Sequence, residues 1–99
     1  MSRLNLKFNG RFREPMLDGT KPCTLRRGVK AQVGDVFPAW EREWQVTRVD
    51  AATPAFVAKH YFREEGFETP ADFLSFWRKI YPRGSLKTPH THIWFARIA

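Results

Sequence analysis

The segment His92–Ile98 constrains the fold most, because as a strand it is apolar on both of its faces. A strand of that kind is buried on both sides, so it belongs in the middle of a sheet or barrel. Val36–Trp40 contains Pro38, which cannot donate a ladder hydrogen bond, so it is predicted as an edge strand or a bulge. The other predicted strands follow alternating or turn-flanked patterns: Leu4–Phe8, the stretch after Pro22, and Trp44–Val49, which Glu41–Glu43 joins to the edge strand.

Helices are predicted at three places. Phe12–Leu17 reads as a short helical turn that Asp18-Gly19 ends. Two longer helices begin at Thr53-Pro54 and Thr69-Pro70, where threonine is the N-cap and proline takes the first helical position. Gly66 and Pro82 are their stop signals. The apolar face of the second long helix is predicted to pack on the core, and it consists of Phe73, Leu74, Phe76, Trp77, Ile80 and Tyr81.

A carboxylate is out of place on the first long helix. At about 100° per residue, Glu65 falls near the middle of the apolar face and Glu64 falls at its edge. The apolar face itself is made by Ala55, Val57, Ala58, Tyr61 and Phe62. A desolvated carboxylate at a helix C-terminus needs a cationic or hydrogen-bonding partner. The alternative is that the helix frays and Glu65 turns into solvent.

Length and charge narrow the class of protein. Ninety-nine residues with 42% hydrophobic residues predict a single folded domain over residues 1–99. The formal charge of +7 favours anionic partners such as nucleotides or RNA. One cysteine excludes an internal disulfide and a cysteine-rich zinc site. The sequence contains neither a membrane-spanning run nor a signal-peptide core, so the expected location is the cytoplasm.

The segment Gly19–Arg26 carries the most chemistry for its length. In the strand after Pro22, Thr24 and Arg26 project to one face, while Cys23 and Leu25 project to the other. Lys21 precedes the proline, so alternation does not fix its direction and it can reach the Thr24 side. An amine beside a hydroxyl is the minimum set for nucleophilic catalysis. The alternative is a basic turn that leads into an ordinary strand.

These motifs, in their order along the chain, resemble the ASCH domain of the PUA-like superfamily. The pattern is Gly-x-Lys-x-x-(Glu/Thr)-x-Arg, then Val-Gly-Asp before a strand, Glu-Gly-Phe after a helix, and Phe-x-x-x-Trp leading into Tyr-Pro. The matching residues are Gly19, Lys21, Thr24, Arg26, Gly34, Asp35, Glu65, Gly66, Phe67, Phe73, Trp77, Tyr81 and Pro82. The resemblance implies an α+β fold: a small, strongly bent β-barrel flanked by helices, with a cleft lined by the Gly-x-Lys segment.

Thr24 stands where many ASCH domains carry a glutamate. A threonine there resembles the small bacterial amidohydrolases that deacetylate N4-acetylcytidine. The resemblance implies Thr24 as nucleophile, Lys21 as base and Glu65 as the carboxylate of the catalytic set, with Arg26 and Gly19 as substrate contacts. It implies a nucleoside substrate and neither cofactor nor metal. The alternatives are an RNA-binding module without enzymatic activity and a ribonuclease, and Thr24 discriminates because only amide hydrolysis needs its hydroxyl.

Other polar and aromatic residues have simpler interpretations. Cys23 is predicted as a buried structural thiol. His90 and His92 have a spacing that can chelate a metal, but they are interpreted as loop histidines near a basic patch. Three tryptophans are assigned to the core rather than to base stacking: Trp40, Trp44 and Trp94. Four basic residues either form a phosphate-binding rim or are solvated surface charges: Arg26, Arg27, Arg83 and Lys87.

Overall fold

The computed structural model describes residues 2–99. Four strands form one antiparallel sheet in the order β1-β4-β3-β2, with helices packed around it. The strands are β1 (Cys23–Arg26), β2 (Val36–Ala39), β3 (Arg42–Ala52) and β4 (His90–Arg97). The helices are α1 (Arg13–Leu17, preceded by a 3-10 turn at Gly10–Phe12), α2 (Pro54–His60) and α3 (Pro70–Ile80). The sheet curls into a half-barrel, so the predicted α+β class with a bent sheet is confirmed.

The last strand lies where its composition requires. β4 pairs with β1 on one side and with β3 on the other, which confirms its prediction as a central strand. Its register places Cys23 opposite Trp94 and Leu25 opposite His92. Directly opposed residues of an antiparallel pair project to the same face. The side chains of Cys23 and His92 therefore share one face of the sheet, and Thr24 projects to the other.

The edge strand lies where it was predicted, but the hairpin turn that follows it comes earlier in the chain than predicted. β2 with Pro38 is an edge strand, as predicted. The reversal falls at Trp40 and Glu41, whose φ angles of 57° and 60° are those of a tight two-residue hairpin turn. The predicted connection Glu41–Glu43 is therefore wrong, since β3 already begins at Arg42. A register shift between Val46 and Arg48 keeps β3 paired with β4 as far as Ala52.

The predicted first strand, Leu4–Phe8, is wrong. Only Arg3 forms a bridge, a parallel one with Val36, and the chain then leaves the sheet edge. Leu6 is buried, Leu4 and Phe8 are partly buried, and the residues between them are exposed. The alternating pattern therefore reports which side chains reach the core, not a hydrogen-bonded ladder.

Both long helices begin where their caps predict. The Thr53 hydroxyl accepts from the Phe56 amide, and the Thr69 hydroxyl accepts from the Asp72 amide. α3 buries Phe73 and Trp77, as predicted, whereas Ile80 at its end is 51% exposed. No helix between residues 2 and 99 combines the length and apolar character that a bilayer crossing needs.

Candidate functional site

Lys21 is drawn into the interior by the turn before β1. Gly19 takes a positive φ of 86°, and the Lys21 amide donates to the Pro15 carbonyl, which anchors the turn on α1. The lysine side chain is 2% exposed. Its Nζ donates to the carbonyl oxygens of Cys23 at 3.0 Å and Glu65 at 2.7 Å. It also lies 3.6 Å from Glu65 Oε1.

Glu65 is buried by a turn rather than by a helix. α2 ends at His60, and the chain continues through a turn in which the Glu65 amide donates to the Tyr61 carbonyl. Gly66 follows with a φ of 98°, and a Cβ there would approach the Phe12 ring to 3.1 Å. The predicted burial of Glu65 is confirmed at 3% exposure, and the alternative of fraying into solvent is wrong. Glu64 is partly exposed.

Each oxygen of the Glu65 carboxylate has two polar neighbours. Oε1 accepts from the Leu25 amide at 3.3 Å and faces Lys21. Oε2 accepts from the Cys23 thiol at 3.2 Å and contacts His92 Nε2 at 2.9 Å. We call Lys21, Cys23, Glu65 and His92 the polar cluster. All four side chains are buried, and three segments of the chain contribute to it.

Burial and charge set the titration of this cluster. Desolvation lowers the pKa of Lys21 and outweighs the opposing effect of the nearby carboxylate, a balance that sequence alone leaves open. Burial alone would raise the pKa of the Glu65 carboxyl, but the Lys21 ammonium and the His92 hydrogen bond outweigh it and leave the pKa lowered. Burial, with the Glu65 charge, raises the pKa of the Cys23 thiol. The cysteine is therefore a protonated donor and a poor nucleophile.

A cavity of about 610 Å³ opens beside Thr24 and Arg26, and we call it the Thr24 cavity. The Thr24 hydroxyl oxygen accepts from Arg26 Nε at 3.0 Å. Arg26 is held by the Lys7 carbonyl at 2.6 Å and lies over the Phe8 ring at 4.6 Å. The remaining lining consists of four aromatic residues, two aliphatic residues, two charged residues and an asparagine: Phe73, Phe76, Trp77, Tyr81, Leu25, Ile80, Glu65, Lys79 and Asn9.

The predicted site residues divide between two regions. Thr24, Arg26 and Glu65 line the Thr24 cavity. Gly19 and Lys21 instead line a separate cavity of about 430 Å³ beside α1 and β4. Within residues 2–99 no hydrogen bond joins Lys21 to Thr24. The lysine Nζ bonds instead to the carbonyl oxygens of Cys23 and Glu65 and lies near the Glu65 carboxylate. Glu65 therefore connects the two regions.

His92 is the site residue that sequence reasoning missed. Its interpretation as a loop histidine is wrong, because it lies within β4 at 1% exposure, and His90 begins the same strand. The signal was present in the sequence: a strand buried on both faces also buries its histidine. Cys23 is the buried thiol predicted, and its bond to Glu65 places it in the polar cluster. Among the tryptophans Trp44 is in the core, while Trp40 and Trp94 are partly exposed.

The polar cluster has the composition of a metal site but a different geometry. Ligand atoms of Cys23, Glu65 and His92 lie within 4.8 Å of one another, and these are side chains that zinc accepts. Both the thiol and the imidazole converge on a single oxygen, Oε2, as hydrogen-bond donors do. The Lys21 ammonium beside the other oxygen would repel a cation. A protonated hydrogen-bond network fits these contacts better than a metal centre does.

Comparisons with known proteins find structural similarity but no match in sequence. No protein-family model matches the sequence, and a search of curated proteins finds no match. The crystal structure of hypothetical protein PH0355 is similar at a TM-score of 0.71 and 15% identity, covering 98% of this chain and 96% of that one. The ASCH domain from Lactobacillus crispatus is similar at a TM-score of 0.68 and 13% identity, covering 97% and 78%. The chain therefore has the fold of that ASCH domain.

Proposed function

We propose that this protein is an amidohydrolase that cleaves the N4-acyl amide of N4-acetylcytidine-type nucleosides. The observation that carries the proposal is the Thr24 hydroxyl, which lines an aromatic cavity with a guanidinium nitrogen 3.0 Å from its oxygen. A hydroxyl so placed can become a nucleophile, because the neighbouring positive charge stabilises the negative charge that develops as its proton leaves. The resemblance to the threonine-containing ASCH amidohydrolases points to the same residue.

The reaction has two steps. Thr24 Oγ1 attacks the acetyl carbonyl carbon and loses its proton. The bond between that carbon and N4 then breaks as N4 takes up the proton, which leaves an acetyl-threonine ester and cytidine with a neutral amino group. Water next attacks the ester, which releases acetate and restores the hydroxyl. Each step needs a group that takes a proton from the attacking oxygen and returns it to the leaving group.

Lys21 is the proposed proton carrier. Burial lowers the pKa of Lys21, so a larger fraction of its amine is neutral at a given pH than in an exposed lysine. Its Nζ is held by two carbonyl oxygens outside the Thr24 cavity, so proton transfer from Thr24 requires a bridging water or a rotation of the lysine side chain. Glu65 lines the cavity and lies 3.6 Å from Nζ, and its proposed role is to hold the lysine at this position.

The Thr24 cavity suits a nucleoside in size and lining. Its volume of about 610 Å³ is typical of pockets for small ligands. The rings of Phe8, Phe76 and Tyr81 among its walls offer surfaces on which a pyrimidine can stack. Arg26 supplies a further hydrogen-bond donor beside the hydroxyl. Gly19 lies at the other cavity, so the expectation that it contacts substrate is not part of this proposal.

An RNA-binding module is the second candidate. Lys7, Arg26 and Lys79 line the cavity, and the chain carries a formal charge of +7. Such a surface would bind phosphates and would release counterions as it did so, giving an affinity that falls steeply with salt. The Thr24 hydroxyl would then have no chemical role.

A direct assay separates the two candidates. The native protein is incubated with N4-acetylcytidine while the absorbance change on deacetylation is followed, beside Thr24→Val, which removes the hydroxyl and keeps the shape. We expect turnover by the native protein and a loss on the order of 10³-fold or more in Thr24→Val. Thr47→Val, at an exposed threonine of β3, is the matched control and should keep full activity. Salt-dependent RNA binding without deacetylation by the native protein would favour the second candidate.

A further inference from the structure

We propose that His92 is a positioning residue that acts through Glu65 on Lys21; the inference rests on the proposed function. His92 is polar on a strand that is otherwise apolar toward the core, and it is 1% exposed. A leucine or phenylalanine would fill the same volume without a polar group to satisfy. Departures of this kind from the local pattern are expected at functional sites.

Contacts on the two carboxylate oxygens explain what His92 does. Oε2 receives the Cys23 thiol and His92 Nε2, while Oε1 accepts from the Leu25 amide and faces Lys21. A thiol is a weak donor, so the imidazole N–H at 2.9 Å is the stronger of the two contacts to Oε2. That bond fixes which oxygen points toward the lysine.

The imidazole is itself fixed in place. Its ring packs against those of Tyr61 and Trp94, at centroid distances of 5.5 and 5.2 Å, and these two rings also contact each other. Its backbone is in the central strand and pairs with Leu25 of β1 and Asp50 of β3. Two neighbouring rings and two strands therefore hold the donor in one orientation. Nε2 must carry the hydrogen, since the facing carboxylate oxygen is an acceptor.

The effect reaches Lys21 through Glu65. Lys21 Nζ donates to the Glu65 carbonyl and lies beside the carboxylate of the same residue. A carboxylate that rotates after losing its Oε2 donor would change the position and the charge environment of the amine. Small displacements of a proton carrier cost large factors in rate, because proton transfer requires hydrogen-bond geometry.

The kinetic test compares two substitutions at one position. His92→Leu removes the donor, and His92→Gln places an amide N–H close to where Nε2 lies. We expect His92→Leu to lower kcat by roughly 10- to 100-fold with little change in KM. His92→Gln should recover most of that loss. His90→Leu, two residues earlier on β4, is the matched control and should keep native kcat.

A purely structural role predicts a different pattern. If both substitutions lower the melting temperature and neither changes kcat, His92 only supports the fold and the inference is wrong. It is also wrong if His92→Gln loses as much kcat as His92→Leu while both variants remain folded by circular dichroism.

A second measurement does not depend on activity. The Nε2 proton of His92 is shielded from water and hydrogen-bonded, so it should give a downfield proton resonance that moves in Glu65→Gln. A resonance that is missing, or that does not change in Glu65→Gln, overturns the inference whatever the protein hydrolyses. If the resonance depends on Glu65 but N4-acetylcytidine is not cleaved, the proposed function fails while the His92–Glu65 geometry stands.

Discussion

The polar cluster and the Thr24 cavity adjoin the same four-residue strand, β1, and they differ in how their polar groups are supported. In the polar cluster Lys21 and Glu65 are enclosed and lie beside each other, and both also hydrogen-bond to main-chain groups. In the cavity Thr24 and Arg26 bond to each other beside open space. The cluster is built to fix charge, and the cavity is built to receive a molecule.

Glu65 belongs to both regions, and this teaches how they are coupled. It lines the cavity, yet its carboxylate bonds to Cys23 and His92 and faces Lys21 in the cluster. It also accepts from the amide of Leu25, which lines the cavity. Any ligand that contacts the carboxylate therefore also changes the environment of Lys21. Thr24 has no such connection, so changes at the two residues should separate the regions experimentally.

Glu65→Gln should have the largest effect among variants of the polar cluster. An amide removes the negative charge beside Lys21, and we expect kcat to fall by on the order of 10²-fold. Leaving a buried cation without its anion should also lower the free energy of unfolding by about 3–5 kcal/mol. The slight stabilisation that a helix-end carboxylate suggests is not expected, because α2 ends at His60, before Glu65.

Glu64→Gln is the matched control for that prediction. Glu64 is partly exposed and adjacent, so its variant should be nearly silent in both turnover and denaturant unfolding. If Glu64→Gln is inactive and Glu65→Gln is active, the functional carboxylate is Glu64. Glu65 would then not connect the two regions.

Lys21 should make stability depend on pH in the alkaline direction. Because its folded pKa lies below the ordinary 10.5, the unfolded chain binds more protons between the two values, and the free energy of unfolding should rise with pH there. Cys23 acts oppositely above its ordinary 9.0, since its pKa is raised on folding. Denaturant unfolding at alkaline pH below 10.5 should therefore show this rise once the opposing contribution of Cys23 is removed.

Two variants separate those contributions. Cys23→Ser should show the rise below pH 10.5, because no thiol then ionises in the unfolded chain, and adding Lys21→Met should abolish it. A Cys23→Ser variant whose stability is flat over this interval, and unchanged in slope by Lys21→Met, would show that desolvation does not dominate the lysine.

Cys23→Ser should have the smallest effect on turnover. The thiol is a protonated donor on the face away from Thr24, and a serine hydroxyl can make the same bond to Glu65. We expect nearly native kcat and a loss of roughly 1 kcal/mol in unfolding free energy from burying a more polar group. If activity survives Thr24→Val and disappears in Cys23→Ser, the nucleophile belongs to the cluster and the proposed division is wrong.

Patterns that depend on neighbouring residues along the chain predicted the fold well. Threonine-proline caps fixed the starts of α2 and α3, and the apolar character of β4 fixed its central place. Leu4–Phe8 failed because alternation records burial, while a strand also needs a partner at the sheet edge. The hairpin turn failed because Trp40 and Glu41 adopt positive φ angles that their side chains disfavour.

Sequence reasoning reached the candidate site only in part. Burial of Glu65 followed from helical periodicity, although a turn and not a helix places it there. Lys21 could not be placed, since the residue before a proline has no fixed direction in the strand pattern. The contact between His92 and Glu65 could not be predicted either, because it joins residues from two elements whose packing depends on the whole sheet.

The buried thiol gives this protein an internal reporter of opening motions. Cys23 is the sole cysteine of the chain, is fully buried, and donates a hydrogen bond to Glu65. A thiol reagent can reach it only when β1 separates from β4 or from the turn that carries Glu65. Its labelling rate therefore measures how often the polar cluster comes apart in native conditions. A ligand that binds in the Thr24 cavity and contacts Glu65 should lower the labelling rate of Cys23 without contacting its sulfur.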